Sequence, residues 1–316
     1  MSTMPTPILS IVIPTREGFS EHWITELLKV KGDVEFILVH PPGAGTYPTV
    51  DPRMRQIISP IRGEIIQRLS AMMNACGTYI LTINCDEYLN PDIADIAVQY
   101  FERFPDNWVM RLSKKGFDFG DKASLEAPWA TLPKIEELKI CGKSQGNANL
   151  YGDESHILEI PIAPVDNKFD SQCFLRERKD QNGAHTENFD KKVWKNKMVQ
   201  ETIKDLGSLM VLSGPLKYIP FWCLDRLLGL FIQAKFFEKG KIVGHILPPP
   251  EQIRFEDNPP EYRKSKRFYV FAEILLIRRF PQYGYFWNLI IDQLRGIPMR
   301  GVEFVGRKLS GGGADN

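Results

Sequence analysis

The sequence predicts an α/β protein: a Rossmann-type, mostly parallel sheet flanked by helices, with a helical appendage at the C-terminal end. Three observations predict it. Ile8 to Ile13 is a β-branched run closed by Pro14, the signature of a buried strand. A helical stretch from Phe19 to Lys31, with Trp23, Leu27 and Leu28 on one face, then leads to a second apolar run, Val34 to Val39. Two parallel strands joined by a helix form a right-handed βαβ unit. Third, Gly63 to Asp92 reads as a helix, a strand, an acidic turn and the start of another helix.

The chain divides in order as follows. Residues 1–112 form a first half. Its third strand is expected at Gln56 to Ser59, after the Pro- and Gly-rich loop from Pro41 to Pro52, where GAG at 43–45 reads as an ordinary turn. Arg62 and Gly63 stand at the mouth of the next helix. There Ile65, Ile66, Leu69, Met72, Met73 and Cys76 recur at steps of three and four as a buried face, and Gly77 ends the helix. Tyr79 to Ile83 is a short strand that delivers Asn84, Cys85, Asp86 and Glu87 to its carboxyl end, where ligands of open α/β sheets bind. Read alone, this turn is as well explained by solvation of its acids. Asn90 is placed to cap the following helix, with Pro91 at its first position, and a helix over 92–104 and a strand over 107–112 follow.

Residues 113–250 form a second half of the same domain. Ser113 to Asp153 has little periodicity and reads as a long irregular connection, a wall or lid for a second substrate. Strands are expected at His156 to Ile160 and Phe169 to Arg176. The charged stretch Glu177 to Lys197 reads as a solvated helix or loop, with His185 on its surface. A helix over 221–238, Gly240 and a strand over 241–247 close this half. Residues 251–305 begin with a loop carrying Glu251, Arg254 and the pair Glu256-Asp257, then give two helices separated near Pro281. The tail over 306–316 is expected to be disordered.

Composition excludes several classes. The 316 residues are 43% hydrophobic and 25% charged with a formal net charge of +1, so there is no bulk electrostatic case for nucleic acid. Five scattered cysteines without a C-x-x-C pair fit reduced thiols in a cytosol. The first residues lack a basic leader, and no run of about twenty apolar residues exists to span a bilayer.

The order Gly63, Arg68, Ala75, Gly77, Tyr79, strand, Asn84-x-Asp86-Glu87, Pro91 resembles the family-two glycosyltransferases of GT-A fold. The likeness is clearest over residues 8–92, where IVIPTREG also fits, and returns over 213–247. It implies a metal-dependent inverting transferase moving a sugar from a nucleoside diphosphate donor to a saccharide or lipid-linked acceptor. By the same resemblance Pro14, Thr15, Arg16 and Glu17 cradle the nucleoside, Arg62 and Arg68 stand near the phosphates, and Asn84, Cys85 and Asp86 form the donor turn. Asp86 matches the metal-binding carboxylate; Asn84 replaces the family's first Asp, and His40-Pro41-Pro42-Gly43 replaces its Asp-Asp-Gly-Ser, so the base is left open.

Asp225-Arg226-Leu227 with Gly240 matches the family's base helix, although Leu224 stands in place of a Glu. Asp225 is therefore the expected catalytic base, whereas spacing alone makes it a helix-end acid. His245, after the strand that follows, is the second expected metal ligand; oxygen donors with an imidazole admit Mn²⁺ or Mg²⁺. The aromatic and basic segment 262–295 either pads the sheet, forms a dimer face or docks the protein peripherally at the inner membrane surface. A non-catalytic sugar-nucleotide or carbohydrate-binding protein on the same fold is the rival reading, given the replaced acids. A nucleotidyltransferase would need a Gly-rich, Arg-bearing loop that PTREG does not supply.

Overall fold

The computed structural model describes residues 6–17, 21–142, 153–178, 185–209, 221–257 and 273–295. The expected segments at 213–220 and 258–272 and the tail from 306 lie outside the described residues. The strands are β1 (Leu9–Pro14), β2 (Val34–His40), β3 (Met54–Ile58), β4 (Tyr79–Thr82), β5 (Glu87–Leu89), β6 (Val109–Arg111), β7 (Lys114–Phe117), β8 (Lys139–Cys141), β9 (His156–Pro161), β10 (Lys192–Lys195), β11 (Ile242–Ile246) and β12 (Ile253–Glu256). The helices are α1 (Glu21–Leu27), α2 (Glu64–Met73), α3 (Ile93–Arg103), α4 (Lys122–Leu125), α5 (Asn196–Leu209), α6 (Phe221–Lys235), α7 (Glu273–Arg279) and α8 (284–295).

Nine strands form one sheet in the order β3-β2-β1-β4-β10-β6-β11-β9-β8, and β5-β12-β7 form a small second sheet. The pairs among β3, β2, β1 and β4 are all parallel, as is β6 with β11. Strand alternation sorts the core. Leu9, Ile11, Ile13, Phe36 and Leu38 face α1 and α3, whereas Val12, Ile37, Val39 and Ile80 face α2 and α5. A third cluster joins α6 to α7 and α8, where Phe231 meets Phe280 edge-on at 5.0 Å between ring centroids.

Gly77 explains why the loop after α2 lies tight on β1. A Cβ there would stand 2.6 Å from Ser10 N, and without it the Gly77 amide donates to Ser10 Oγ at 2.7 Å.

Four expectations are corrected. The stretch 177–197 is not solvated throughout: β10 runs antiparallel between β4 and β6 in the middle of the sheet, with Val193 and Trp194 fully buried. Flanking lysines hid this apolar pair. Residues 171–174 form a 3-10 turn instead of a strand, and 253–256 form β12 instead of a loop. The buried face of α2 is Ile65, Gln67, Arg68, Ala71 and Met72, with Met73 exposed; polar partners inside let the helix rotate away from its purely apolar stripe.

Candidate functional site

The carboxyl ends of β1, β2 and β4 carry the first group of predicted residues. Pro14 closes β1 against Val39, and Thr15 is buried beyond it. The Thr15 hydroxyl lies 2.7 Å from His40 Nδ1, and its carbonyl accepts from Gln67 Nε2 at 2.9 Å. Gln67 also donates to Val39 O at 2.7 Å. Thr15 therefore braces the rim by its side chain. Burial lowers the proton affinity of His40, which keeps that imidazole neutral as the link from Thr15 to Gln56 at 2.9 Å.

Arg16 and Glu17 stand exposed at the rim, each paired: Arg16 to Asp86 at 3.4 Å, and Glu17 to Arg62 at 3.1 Å. Both pairs are solvent-accessible, so a polyanion would meet two guanidiniums and two carboxylates with little to disrupt. Cys85 is buried under this turn, and its thiol is pushed up by burial and by Asp86.

Arg68 is fully buried on α2. Its guanidinium donates to the Asn84 side-chain oxygen and lies 3.5 Å from Glu64 and 3.7 Å from Asp190. The Asn84 side-chain amide is thus a partner of the protein's own arginine. Glu87, also buried, accepts from Asn84 N at 2.9 Å and pairs with Lys191 at 2.6 Å. Burial pulls Lys191 down, but Glu87 more than offsets it and keeps the lysine charged. Lys191 holds φ at 57°, a conformation an ordinary side chain seldom takes, at the turn leading into β10.

Asp190, beside it, connects the two constellations. Its carboxylate accepts from Thr82 Oγ1 at 3.1 Å and faces Arg68, while its backbone N–H donates to Asp225 Oδ1. Gly229 makes this approach possible: a Cβ on it would stand 2.3 Å from Glu187 O, so only glycine lets the segment before β10 lie on α6. Asp225 is the fifth residue of α6, 6% exposed, and borders a cleft of about 440 Å³ with Arg111, Lys114, Glu187, Asp190 and Lys192. Burial and the neighbouring Asp190 raise its carboxyl from 3.8 to about 6, with Lys192 opposing. Lys192 is itself buried, pulled down to about 8 by burial, against the attraction of Asp225.

Further along the cleft, Glu187 is expensive to bury, yet hydrogen bonds from His185 and Tyr285 and the charges of Arg226 and Arg178 hold it at about 2. Arg226 reaches it at 2.7 Å and also meets Glu273 at 3.1 Å. His185 is no surface residue: its side chain is 6% exposed and its Nε2 lies 3.1 Å from Tyr285 Oη. Arg254 pairs with Glu251 at 2.7 Å and stacks on Trp129, anchoring the loop after α4.

His245 is the other correction. The register of β11 on β6 turns its ring toward α3, where Nδ1 lies 2.9 Å from Tyr100 Oη and 3.0 Å from Asn107 Nδ2, with the Phe104 ring 4.4 Å away. Burial, helped by Arg103, drops it to about 4, so it stays neutral in the core. It is not brought to Asp86. Among the described residues no cluster of three or more His, Cys, Asp or Glu side chains is arranged to hold a metal ion. The donor set of the turn reduces to Asp86, since Asn84 and Glu87 serve Arg68 and Lys191. A single carboxylate still fits Mg²⁺, which completes its shell with water and substrate phosphates, better than it fits Mn²⁺ with an imidazole.

Sequence reasoning missed Gln67, Asp190, Lys191 and Lys192. The available signal was Asp190-Lys191-Lys192 ahead of an apolar pair, Val193-Trp194, which marks a strand start at the rim.

No protein-family model matches the chain, and no curated protein matches it. Among solved structures it is similar to S. aureus TarS 1-349, at 14% identity and a TM-score of 0.44, over 79% of this chain and 60% of that one. The crystal structure of TarS 1-349 in complex with UDP-GlcNAc gives 12% identity and a TM-score of 0.46 over 85% and 66%. That in complex with UDP gives 14% and 0.42 over 80% and 61%. The chain thus spans less than two thirds of these structures. Among the described residues no helix is long and apolar enough to cross a membrane.

Proposed function

We propose that the protein is an inverting glycosyltransferase that takes a nucleoside diphosphate sugar at the β1–β2–β4 rim and uses Asp225 as general base. The observation that carries this reading is the contact chain Asn84–Arg68–Asp190–Asp225, which joins the donor turn to a buried carboxyl bordering a cleft. A carboxyl raised to about 6 is a competent base near neutral pH, because it is ionised yet still binds a proton.

In the proposed reaction the acceptor hydroxyl oxygen bonds to the anomeric carbon as the bond to the diphosphate oxygen breaks. The hydroxyl proton passes to Asp225, and the bonding pair leaves with the diphosphate. Asp190 N–H fixes the orientation of the Asp225 carboxylate, and Lys192 favours its ionised form. Arg16 and Arg62 offer exposed guanidiniums to the diphosphate, while Arg68 holds the turn in shape from below. Asp86 would hold Mg²⁺, which when bound supplies Lewis-acid neutralisation of the leaving diphosphate.

A lipid-linked acceptor would bring the exposed Ile274 of α7, with Arg278 one turn on, and the exposed Trp287 of α8 to a membrane surface. The competing reading is a sugar-nucleotide or carbohydrate binder without turnover, favoured by the amide at 84 and the leucine at 224. Donor hydrolysis by wild type and Asp225→Asn, over a panel of sugar nucleotides beginning with UDP-GlcNAc and with Mg²⁺ or Mn²⁺, separates the two. Turnover in wild type that the variant loses supports transfer; binding with equal background rates in both supports the binder.

A further inference from the structure

The cleft beyond Asp225 carries more positive charge than the reaction at the anomeric carbon needs. In the sheet order the donor turn stands at β4, Asp190 and Lys192 flank the start of β10, and Arg111 and Lys114 stand at the end of β6 and the start of β7. The proposed base and the cations Arg111, Lys114 and Lys192 all border the same cavity of about 440 Å³. Of the three acids of that cavity, Asp225 faces Lys192 and the other two are engaged elsewhere. Glu187 is held by Arg226 at 2.7 Å and Arg178 at 3.4 Å, and Asp190 by Thr82 and Arg68. Lys191 is matched by Glu87 at 2.6 Å.

The lysines of the wall lack such matches. Lys192 donates to the carbonyl oxygens of Asn188 and Asp190, and neither it nor Lys114 forms an ion pair among the described residues. Burial lowers both, and Lys191 and Arg111 push Lys114 down further while Arg111 does the same to Lys192. Cations that depress one another around an open cavity form a site that gains when an anion enters.

We propose that the wall of Arg111, Lys114 and Lys192 binds an anionic group, phosphate or carboxylate, carried by the acceptor. The inference rests on the transferase reading for the word acceptor; the anion site itself does not. Asp225, which takes the proton of the acceptor hydroxyl in the proposed reaction, borders this cavity, and that assigns the anion to the acceptor and not to the donor diphosphate.

The test uses the full chain and three probes: glucose 6-phosphate, glucuronate and neutral glucose. Binding is measured by calorimetry with and without a saturating nucleoside diphosphate. Wild type is compared with Lys114→Glu and with Lys115→Glu, which reverses a neighbouring exposed charge outside the cavity wall. The account expects the two anions to bind and glucose not to, with affinity retained when the nucleotide is present. Lys114→Glu should weaken anion binding roughly three- to tenfold, as loss of one charge-assisted contact does, and Lys115→Glu should leave it unchanged. Displacement of the anions by nucleotide, equal binding of glucose, or an unaffected Lys114→Glu would each overturn the proposal. Nucleotide binding to wild type is read separately: a protein that takes the anions but no nucleotide loses the donor reading and keeps the anion site.

Discussion

Two buried titratable side chains that the sequence singled out, His245 and Asp225, occupy opposite kinds of surroundings. His245 sits among Tyr100, Phe104 and Asn107 on the α3 face, and the hydrogen bonds at its Nδ1 come from those core residues. Asp225 is nearly as buried but borders a cavity, faces a second carboxylate and a lysine, and is pushed toward protonation. Burial alone therefore does not mark a site. What separates them is the edge of the sheet at which the side chain emerges and whether its cost of burial is matched locally. The His245 nest is satisfied by neutral partners, whereas the Asp225 cleft holds charge in reserve.

The sharpest way to break this contrast is to neutralise each residue in turn. Asp225→Asn is expected to lower turnover by about 10²–10⁴, the usual worth of a general base, while nucleotide binding measured by calorimetry stays unchanged. An effect below tenfold would put Asp225 on the same footing as His245.

Arg68→Ala comes next. It removes the buried cation that joins Asn84, Glu64 and Asp190, leaving two acids without it, and should cost on the order of 3 kcal/mol in urea unfolding. Weakened donor binding should accompany it, because the turn loses its support.

Stability should move the other way at Asp225. Its folded-state value of about 6 lies above the ordinary 3.8, so the folded protein holds that proton more tightly than the unfolded chain does. The stabilisation is present below 3.8 and is lost as pH rises through about 6, which leaves the ionised group a net burden at pH 8. Asp225→Asn is therefore expected to unfold at higher urea than wild type at pH 8, by up to about 3 kcal/mol, with the gap closing toward pH 4. Unchanged stability at both values would deny the carboxyl its raised affinity. Finally, His245→Gln should cost about 1 kcal/mol by disturbing the Tyr100 and Asn107 bonds and leave turnover within about twofold at any divalent-metal concentration. A steeper metal requirement in that variant would return the imidazole to the site.

Much of the first half was legible because each element there obeys one local rule. The β-branched run at 8–13, the two-sided apolar strand at 79–82 and the helix over 93–103 fall within a residue or two of their expected bounds. Asp225 was reachable only through resemblance, since its neighbours in space, Asp190 and Lys192, belong to a strand whose charged flanks masked two buried residues. Arg68 and Gln67 are polar residues on a helix whose hydropathy marks only its apolar stripe as inward, yet the fold buries them because Asn84, Thr15 and Val39 offer partners no linear pattern reveals.

The most direct measurement is the pH dependence of kcat/KM for donor consumption, wild type against Asp225→Asn, between pH 5 and pH 8. The account predicts a rate that climbs with pH and levels off above an apparent pKa near 6, and a residual rate in the variant that lacks this limb. A wild-type profile flat across that range, or the same limb in both proteins, would contradict the assignment of Asp225 as the base.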